Sequence, residues 1–74
     1  MIYSKVKIIG AGLDIVFLKC SVEIDFENRV IIFNSGNYHA EIKHTAVKTM
    51  QDTGDTHYIS IQTDSSELEV YAEK

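Results

Sequence analysis

Residues 16–26 decide the fold, and their sequence is VFLKCSVEIDF. Every even position in this stretch is apolar, and from residue 19 to residue 25 every odd position is polar or charged. The apolar set is Val16, Leu18, Cys20, Val22, Ile24 and Phe26. A period of two residues is typical of a β-strand with one buried and one solvated face. The pattern therefore predicts a strand that points these even-numbered side chains into a core.

Further strands and turns follow on the C-terminal side of this segment. Residues 27–29 include Asn28, which tolerates the left-handed conformation of hairpin loops. Residues 30–33 are apolar on both faces, which favours a central strand, and the polar residues 34–37 indicate the next turn. The next predicted strand places Tyr38, Ala40 and Ile42 on its apolar side. Residues 44–50 fit a short helix and a continued strand about equally well.

The two ends of the chain also alternate. Ile2, Val6 and Ile8 are predicted to point inward before a turn at residues 10–12, and Ile59 and Ile61 belong to a later strand. The last predicted strand has Leu68, Val70 and Ala72 on its inner side. The whole chain, residues 1–74, is thus predicted to be one all-β domain with at most one short helix near residues 44–50. We expect a small antiparallel barrel or sandwich of six to seven short strands.

Apolar side chains also occupy the second face of the predicted sheet. They are Ile9, Ile15 and Phe17, together with either Ile31 and Phe33 or Val30 and Ile32. One small sheet cannot hide both faces from water. The sheet therefore either curls into a barrel or covers one face with a second copy of the chain, and an exposed edge strand would give a homodimer a ready route.

Charge is distributed unevenly along the 74 residues, whose formal net charge is −4. Residues 1–50 contain six basic and five acidic side chains, whereas residues 51–74 contain six acidic ones and only Lys74. Because phosphate backbones require clustered Lys or Arg, we expect no direct nucleic-acid binding. The C-terminal acidic residues Asp64, Glu67, Glu69 and Glu73 are instead candidates for contact with a basic partner.

Cysteine usage and hydropathy bear on the compartment. A single cysteine, Cys20, excludes an intramolecular disulfide and favours a reducing cytoplasm. The apolar stretch near the N-terminus is interrupted by Asp14, and Lys19 precedes Cys20 where a lipidated cysteine needs a small residue. We therefore expect a cytoplasmic protein with neither a signal peptide nor a membrane span.

Three short motifs suggest chemistry, and each has a simpler explanation. Residues 10–12 (GAG) lack the third small residue of a dinucleotide-binding loop, because Ile15 stands at that position. Residues 52–54 (DTG) have the letters of an aspartic-protease site but lie in a polar turn. The histidines at positions 39, 44 and 57 lack the close spacing of zinc ligands. We expect no catalytic residues, no metal and no cofactor.

The aromatic residues give the most useful functional indication. Tyr3, Tyr58 and Tyr71 fall on positions that the alternation assigns to the outside, and tyrosine is favoured at protein interfaces. The leading hypothesis is a non-enzymatic module that binds a protein partner, itself or both through edge strands and these tyrosines. One alternative is an acidic inhibitor of a nucleic-acid-handling defence complex, of the anti-restriction or anti-CRISPR type encoded by mobile elements. A third is a small-molecule binder with its ligand in a barrel mouth.

Overall fold

The computed structural model describes residues 2–74, which form seven antiparallel strands and no helix. The strands are β1 (Ile2–Gly10), β2 (Leu13–Asp25), β3 (Val30–Ser35), β4 (Tyr38–Lys43), β5 (Ala46–Asp52), β6 (Thr56–Gln62) and β7 (Glu67–Glu73). The predicted all-β fold is therefore confirmed. The ambiguous segment at residues 44–50 resolves into two linking residues followed by β5.

All seven strands belong to one sheet with the order β4-β3-β2-β1-β7-β6-β5. Two meanders, β1 to β4 and β5 to β7, are joined by antiparallel pairing of β1 with β7. The edge strands β4 and β5 are connected by only His44 and Thr45, so the sheet must curl until its two edges approach each other. The result is a partly open barrel with extents of 29 × 28 × 26 Å.

Two backbone hydrogen bonds hold the crossover between the edge strands in place. The His44 amide donates to the Arg29 carbonyl over 2.9 Å, and the Thr45 amide donates to the Gln62 carbonyl over 2.7 Å. Arg29 ends the β2–β3 turn and Gln62 ends β6. The crossover is therefore bonded to both halves of the barrel.

The inner surface of the curled sheet contains the core. Its buried members come from every strand except β4 and β5, which contribute partly buried side chains. They are Tyr3, Val6, Ile8, Cys20, Ile31, Phe33, Ile59, Ile61, Leu68, Val70 and Ala72. Of the two alternatives for β3, Ile31 and Phe33 are the inner pair. The predicted inward orientation of the β6 and β7 residues is confirmed.

The predicted alternation along β2 is wrong in its first half. Val16 and Leu18 are 48% and 66% exposed, whereas Ile15 and Phe17 pack against the core. The cause is Lys19, whose φ of 52° is in the left-handed region. This conformation reverses the face of the sheet to which the odd-numbered and even-numbered side chains point. From Cys20 to Ile24 the even positions point inward as expected, but the predicted inward position of Phe26 is wrong, because Phe26 lies beyond the end of β2 and is 63% exposed.

The same change of face overturns the expectation for Tyr3. Tyr3 is only 7% exposed and belongs to the core, while Ile2 is 72% exposed. In the pairing of β1 with β2, Tyr3 is opposite Cys20 and Val6 is opposite Phe17, and all four side chains contact the core. In each strand, the two residues between these inner positions both face outward. The register between β1 and β2 is the same on both sides of the change. Tyr38, predicted to point inward, is also exposed, at the start of edge strand β4.

The hairpin turns lie where the sequence places them, although different residues adopt the strained conformation. In the β2–β3 turn, Arg29 rather than Asn28 has a positive φ, at 58°. The Asn28 amide groups instead bind the Asp25 carboxylate, over 3.0 Å from the backbone and 2.8 Å from the side chain. Among residues 2–74 there is no helix long and apolar enough to cross a membrane.

Candidate protein-interaction face

Strands β2, β1, β7 and β6 direct side chains to the side opposite the core, and all of them are at least partly exposed except Ser60, which is buried. The strand registers arrange these side chains in three rows that run across the four strands. We call these twelve residues the outer face. The rows are Asp14-Ile9-Glu69-Ser60, Val16-Lys7-Tyr71-Tyr58 and Leu18-Lys5-Glu73-Thr56.

Tyr58 and Tyr71 are direct cross-strand neighbours in the middle row. Their ring centroids are 5.0 Å apart with an interplanar angle of 49°, a favourable tilted arrangement. Both hydroxyls donate to the Glu69 carboxylate, Tyr58 Oη to Oε1 over 2.9 Å and Tyr71 Oη to Oε2 over 3.2 Å. One carboxylate thus fixes the orientation of both rings.

This arrangement also perturbs the two phenols. The hydrogen bond to the Glu69 carboxylate raises the pKa of Tyr58, and partial burial adds to the effect. For Tyr71 burial is the main cause of a raised pKa, followed by the hydrogen bond to Glu69. Both side chains therefore remain protonated donors through the physiological pH range.

The other two glutamates of β7 also have partners. Glu67 accepts a hydrogen bond from Ser60 Oγ over 3.0 Å, and its second oxygen lies 3.4 Å from Lys48 Nζ. Glu73 lies 3.8 Å from Lys5 Nζ, with both side chains about half exposed. The acidic side chains of β7 are therefore incorporated into a polar network on the sheet surface.

The β1–β2 half of the outer face has a different character. On this half the outer face has Lys5, Lys7 and Asp14, a net charge of +1, and it exposes Val16 and Leu18. On the β7–β6 half it has Glu69 and Glu73 and no Lys or Arg, a net charge of −2. The outer face thus joins a basic, aliphatic half to an acidic, aromatic half.

A shallow cleft of about 370 Å³ lies where the two halves meet. Lys5, Lys7 and Ile9 line it from β1, and Tyr71 and Glu73 line it from β7. Thr56 completes the lining from β6. The cleft offers both charges and apolar surface to a side chain inserted from outside.

The structure brings together most of the predicted site residues. Tyr58, Tyr71, Glu69 and Glu73 lie on the outer face, and Glu67 is directly beside it on β7. Tyr3 is excluded because it is buried and its hydroxyl lies 3.0 Å from His57 Nδ1. Asp64 is in the β6–β7 turn, where it lines a different cleft.

Lys5, Lys7, Val16 and Leu18 also belong to the outer face, and the sequence pattern did not indicate them as site residues. Strict alternation assigned Val16 and Leu18 to the core, because the turn of the strand at Lys19 has no obvious sequence signal. The two lysines were predicted to face outward, but their proximity to Tyr71 and Glu73 depends on the β1–β7 pairing. Pairing of residues more than sixty positions apart does not follow from local patterns.

The histidines and the cysteine have separate surroundings. His39 contacts Asn34 and Glu41 on the exposed surface, His44 is at the crossover, and His57 contacts Tyr3. Within residues 2–74 no three His, Cys, Asp or Glu side chains are placed to hold a metal ion. Cys20 points inward as predicted, and burial raises the pKa of its thiol.

Comparison with protein-family models, curated proteins and solved structures finds no match for this chain.

Proposed function

We propose that the chain is a small, non-enzymatic protein-interaction module that binds a second copy of itself through the outer face. The observation that carries the proposal is the division of this face into a basic, aliphatic half and an acidic, aromatic half. Two copies of such a face are complementary to each other. The interface is expected to centre on the boundary between β1 and β7.

The exposed aliphatic side chains support a binding role for this face. Leu18 is 66% exposed and Val16 is 48% exposed in the middle of a strand, and Lys7 lies between Val16 and the tyrosine pair. Large exposed apolar side chains bordered by charged groups are characteristic of interaction sites. Covering it with protein would remove this surface from water and would retain the polar tips of the tyrosines as hydrogen-bonding groups.

The charge pattern identifies the symmetry that would bring opposite charges together. A two-fold axis parallel to the strands and between β1 and β7 superposes the β1–β2 half of one copy on the β7–β6 half of the other. Lys5 of each copy then meets Glu73 of the other, and Val16 meets Tyr58. An axis perpendicular to the strands would instead place like charges opposite each other.

The two other hypotheses receive less support from the described residues. A nucleic-acid mimic needs free carboxylates, but Glu67 and Glu69 accept hydrogen bonds from neighbouring side chains and Glu73 lies beside Lys5. A small-molecule ligand in the barrel mouth could not extend into the interior, which eleven buried core side chains fill. Self-association through the free edges of β4 and β5 remains a distinct mode that the experiment separates.

The experiment is sedimentation velocity on the wild-type chain and on two matched variants. Leu18→Glu places a charge on the outer face, whereas Tyr38→Glu removes a large exposed side chain from β4, which is outside that face. We expect a wild-type dimer that Leu18→Glu weakens by at least roughly tenfold, or ~1.4 kcal/mol. The Tyr38→Glu variant should dimerise like the wild type.

Two results would overturn the proposal. One is a wild-type chain that stays monomeric at about 100 μM, well above the range of specific dimers. The other is a dimer that Leu18→Glu leaves intact and Tyr38→Glu disrupts, which would assign association to the β4 edge. Circular dichroism of both variants checks that each retains its sheet.

A further inference from the structure

A second cleft lies at the end of the barrel where three connections meet. They are the β2–β3 turn, the β4–β5 crossover and the β6–β7 turn. We call it the crossover cleft, and its volume is about 270 Å³. Its lining residues are Asn28, Arg29, Lys43, His44, Thr45 and Asp64.

The backbone around the crossover cleft is held by specific hydrogen bonds. Arg29 adopts a left-handed conformation, with φ of 58°, and its carbonyl accepts the His44 amide over 2.9 Å. Thr45 Oγ1 and the Thr45 amide both donate to the Gln62 carbonyl. These bonds fix the positions from which the cleft side chains project.

The charges in the crossover cleft are unbalanced. Neither Arg29 nor Lys43 forms an ion pair or a side-chain hydrogen bond within the described part of the chain, whereas Lys5, Lys48 and Lys74 each pair with a carboxylate. Asp64 is the one acidic residue in the lining. Two cations are thus gathered in a concave site on a protein whose net charge is −4.

His44 lies in the wall of the cleft and is largely buried. It is only 6% exposed, and its buried Nδ1 atom has no hydrogen-bond partner in the protein. Because this nitrogen is sealed from solvent, it does not face the open cleft, and the cations Arg29 and Lys43 are the groups that an anion in the cleft can reach.

We infer that the crossover cleft binds the phosphate group of a small ligand. The Arg29 guanidinium can donate two hydrogen bonds to a phosphate, and the Lys43 ammonium neutralises further charge. A long polyanion is disfavoured because the rest of the protein is acidic and would repel it. Asp64 opposes the anion and limits its affinity. This inference is independent of the proposed dimer, since none of the cleft residues belongs to the outer face.

The test is a titration of the full ¹⁵N-labelled chain, followed by NMR at constant ionic strength. The probe is inorganic phosphate up to about 50 mM, with acetate as the monoanion control. We expect saturable shifts of the Arg29, Lys43, His44 and Thr45 amides. Signals from His39 and His57 should not move.

Four variants make the test specific. Arg29→Gln and Lys43→Gln should each weaken phosphate binding by roughly fivefold, and Asp64→Asn should tighten it by roughly threefold. Lys19→Gln removes a cation outside the cleft and should leave the affinity unchanged. The dispersion of the amide spectrum shows whether each variant is folded. If Arg29→Gln is unfolded, the Lys43→Gln and Asp64→Asn variants together are sufficient for the test.

Several outcomes would overturn the inference. These are the absence of saturation, acetate binding as tight as phosphate binding, and equal effects of Lys19→Gln and Lys43→Gln, which would indicate an adventitious ion only. A comparison with glycerol phosphate separates two sources of the same chemistry. Tighter binding of the monoester supports a phosphorylated metabolite, and equal binding supports free phosphate.

Discussion

At the scale of single residues, Glu69 organises the candidate interaction face. Its two carboxylate oxygens accept the hydroxyls of Tyr58 and Tyr71, over 2.9 and 3.2 Å. Tyrosines fixed in this way lose less conformational entropy when a partner covers them. The outward positions of these three residues could be predicted from alternation, but their mutual contacts require the register between β6 and β7.

The Glu69→Gln variant should lower the pKa of both phenols. Each pKa is raised above the ordinary value of 10.0 in the folded chain. The folded state is therefore favoured by these phenols below pH 10, and this contribution is lost as pH rises through the raised pKa. Removing the carboxylate charge should shrink this effect. The ¹³Cζ chemical shifts of the tyrosines, followed against pH, measure the two pKa values, and Glu67→Gln is the control. An unchanged titration in Glu69→Gln would contradict the role of Glu69 in raising these pKa values.

A second prediction at this scale concerns the β1–β2 turn. Gly10 has φ of +131°, and an added Cβ would lie 2.5 Å from the Glu67 carbonyl oxygen. Gly10→Ala should therefore destabilise the fold by more than about 2 kcal/mol. Gly12 is the matched control, because its φ is +78° and no atom lies within 4 Å of the place that a Cβ would take. Gly12→Ala should cost only about 1 kcal/mol of backbone strain. Equal losses of unfolding free energy for the two variants in urea denaturation would show that the close approach to the Glu67 carbonyl is unimportant.

At the scale of elements, β2 is one strand with two different faces. Its length and its turn boundaries were predictable from the apolar period, whereas the change of face at Lys19 was not. No local signal marks it, because lysine is an ordinary strand residue and the left-handed conformation is imposed by packing on both sides. Phe17 and Cys20 both reach the core only because the strand turns between them. This turn also exposes Leu18 and so produces the candidate face.

Substitutions at Lys19 should reveal this turn. Lys19→Gly should stabilise the chain by about 0.5–1 kcal/mol, because glycine adopts the left-handed region without the penalty of a Cβ atom. Lys19→Val should destabilise it by about 1 kcal/mol or more, because a β-branched side chain is least tolerated there. Urea denaturation at one fixed protein concentration measures both, since dimerisation would add to the apparent stability. If Lys19→Val were more stable than Lys19→Gly, the backbone at Lys19 would be extended and not left-handed.

At the scale of the whole molecule, the pairing of β1 with β7 joins the two meanders and assembles the outer face. It places Lys5 and Lys7 beside Glu73 and Tyr71. The sequence predicts six to seven strands and a curled or paired sheet from the apolar residues on both faces. It does not predict which strands become edges, because that choice depends on contacts between distant parts of the chain. For this reason the acidic, aromatic half of the candidate site was foreseen and the basic, aliphatic half was not.

The proposed dimer requires that two copies of the outer face are complementary in charge. Lys5→Glu makes the meeting side chains of a dimer both acidic, and Glu73→Lys makes them both basic. Each variant alone should therefore be weakened as a homodimer. The exposed Lys5–Glu73 pair within one chain contributes little to folding, so both variants should keep the wild-type fold.

Mixing the two variants tests the claim most directly. In a heterodimer the two substituted side chains, one acidic and one basic, meet at one contact. At the other contact the unchanged Glu73 of the first variant meets the unchanged Lys5 of the second, so opposite charges are restored at both. Uniform ¹⁵N labelling of one variant lets native mass spectrometry distinguish the two homodimers and the heterodimer by mass. We expect the heterodimer to predominate in the mixture, whereas each variant alone is largely monomeric. A mixture that stays monomeric, or that forms homodimers and heterodimers in statistical proportion, would contradict it.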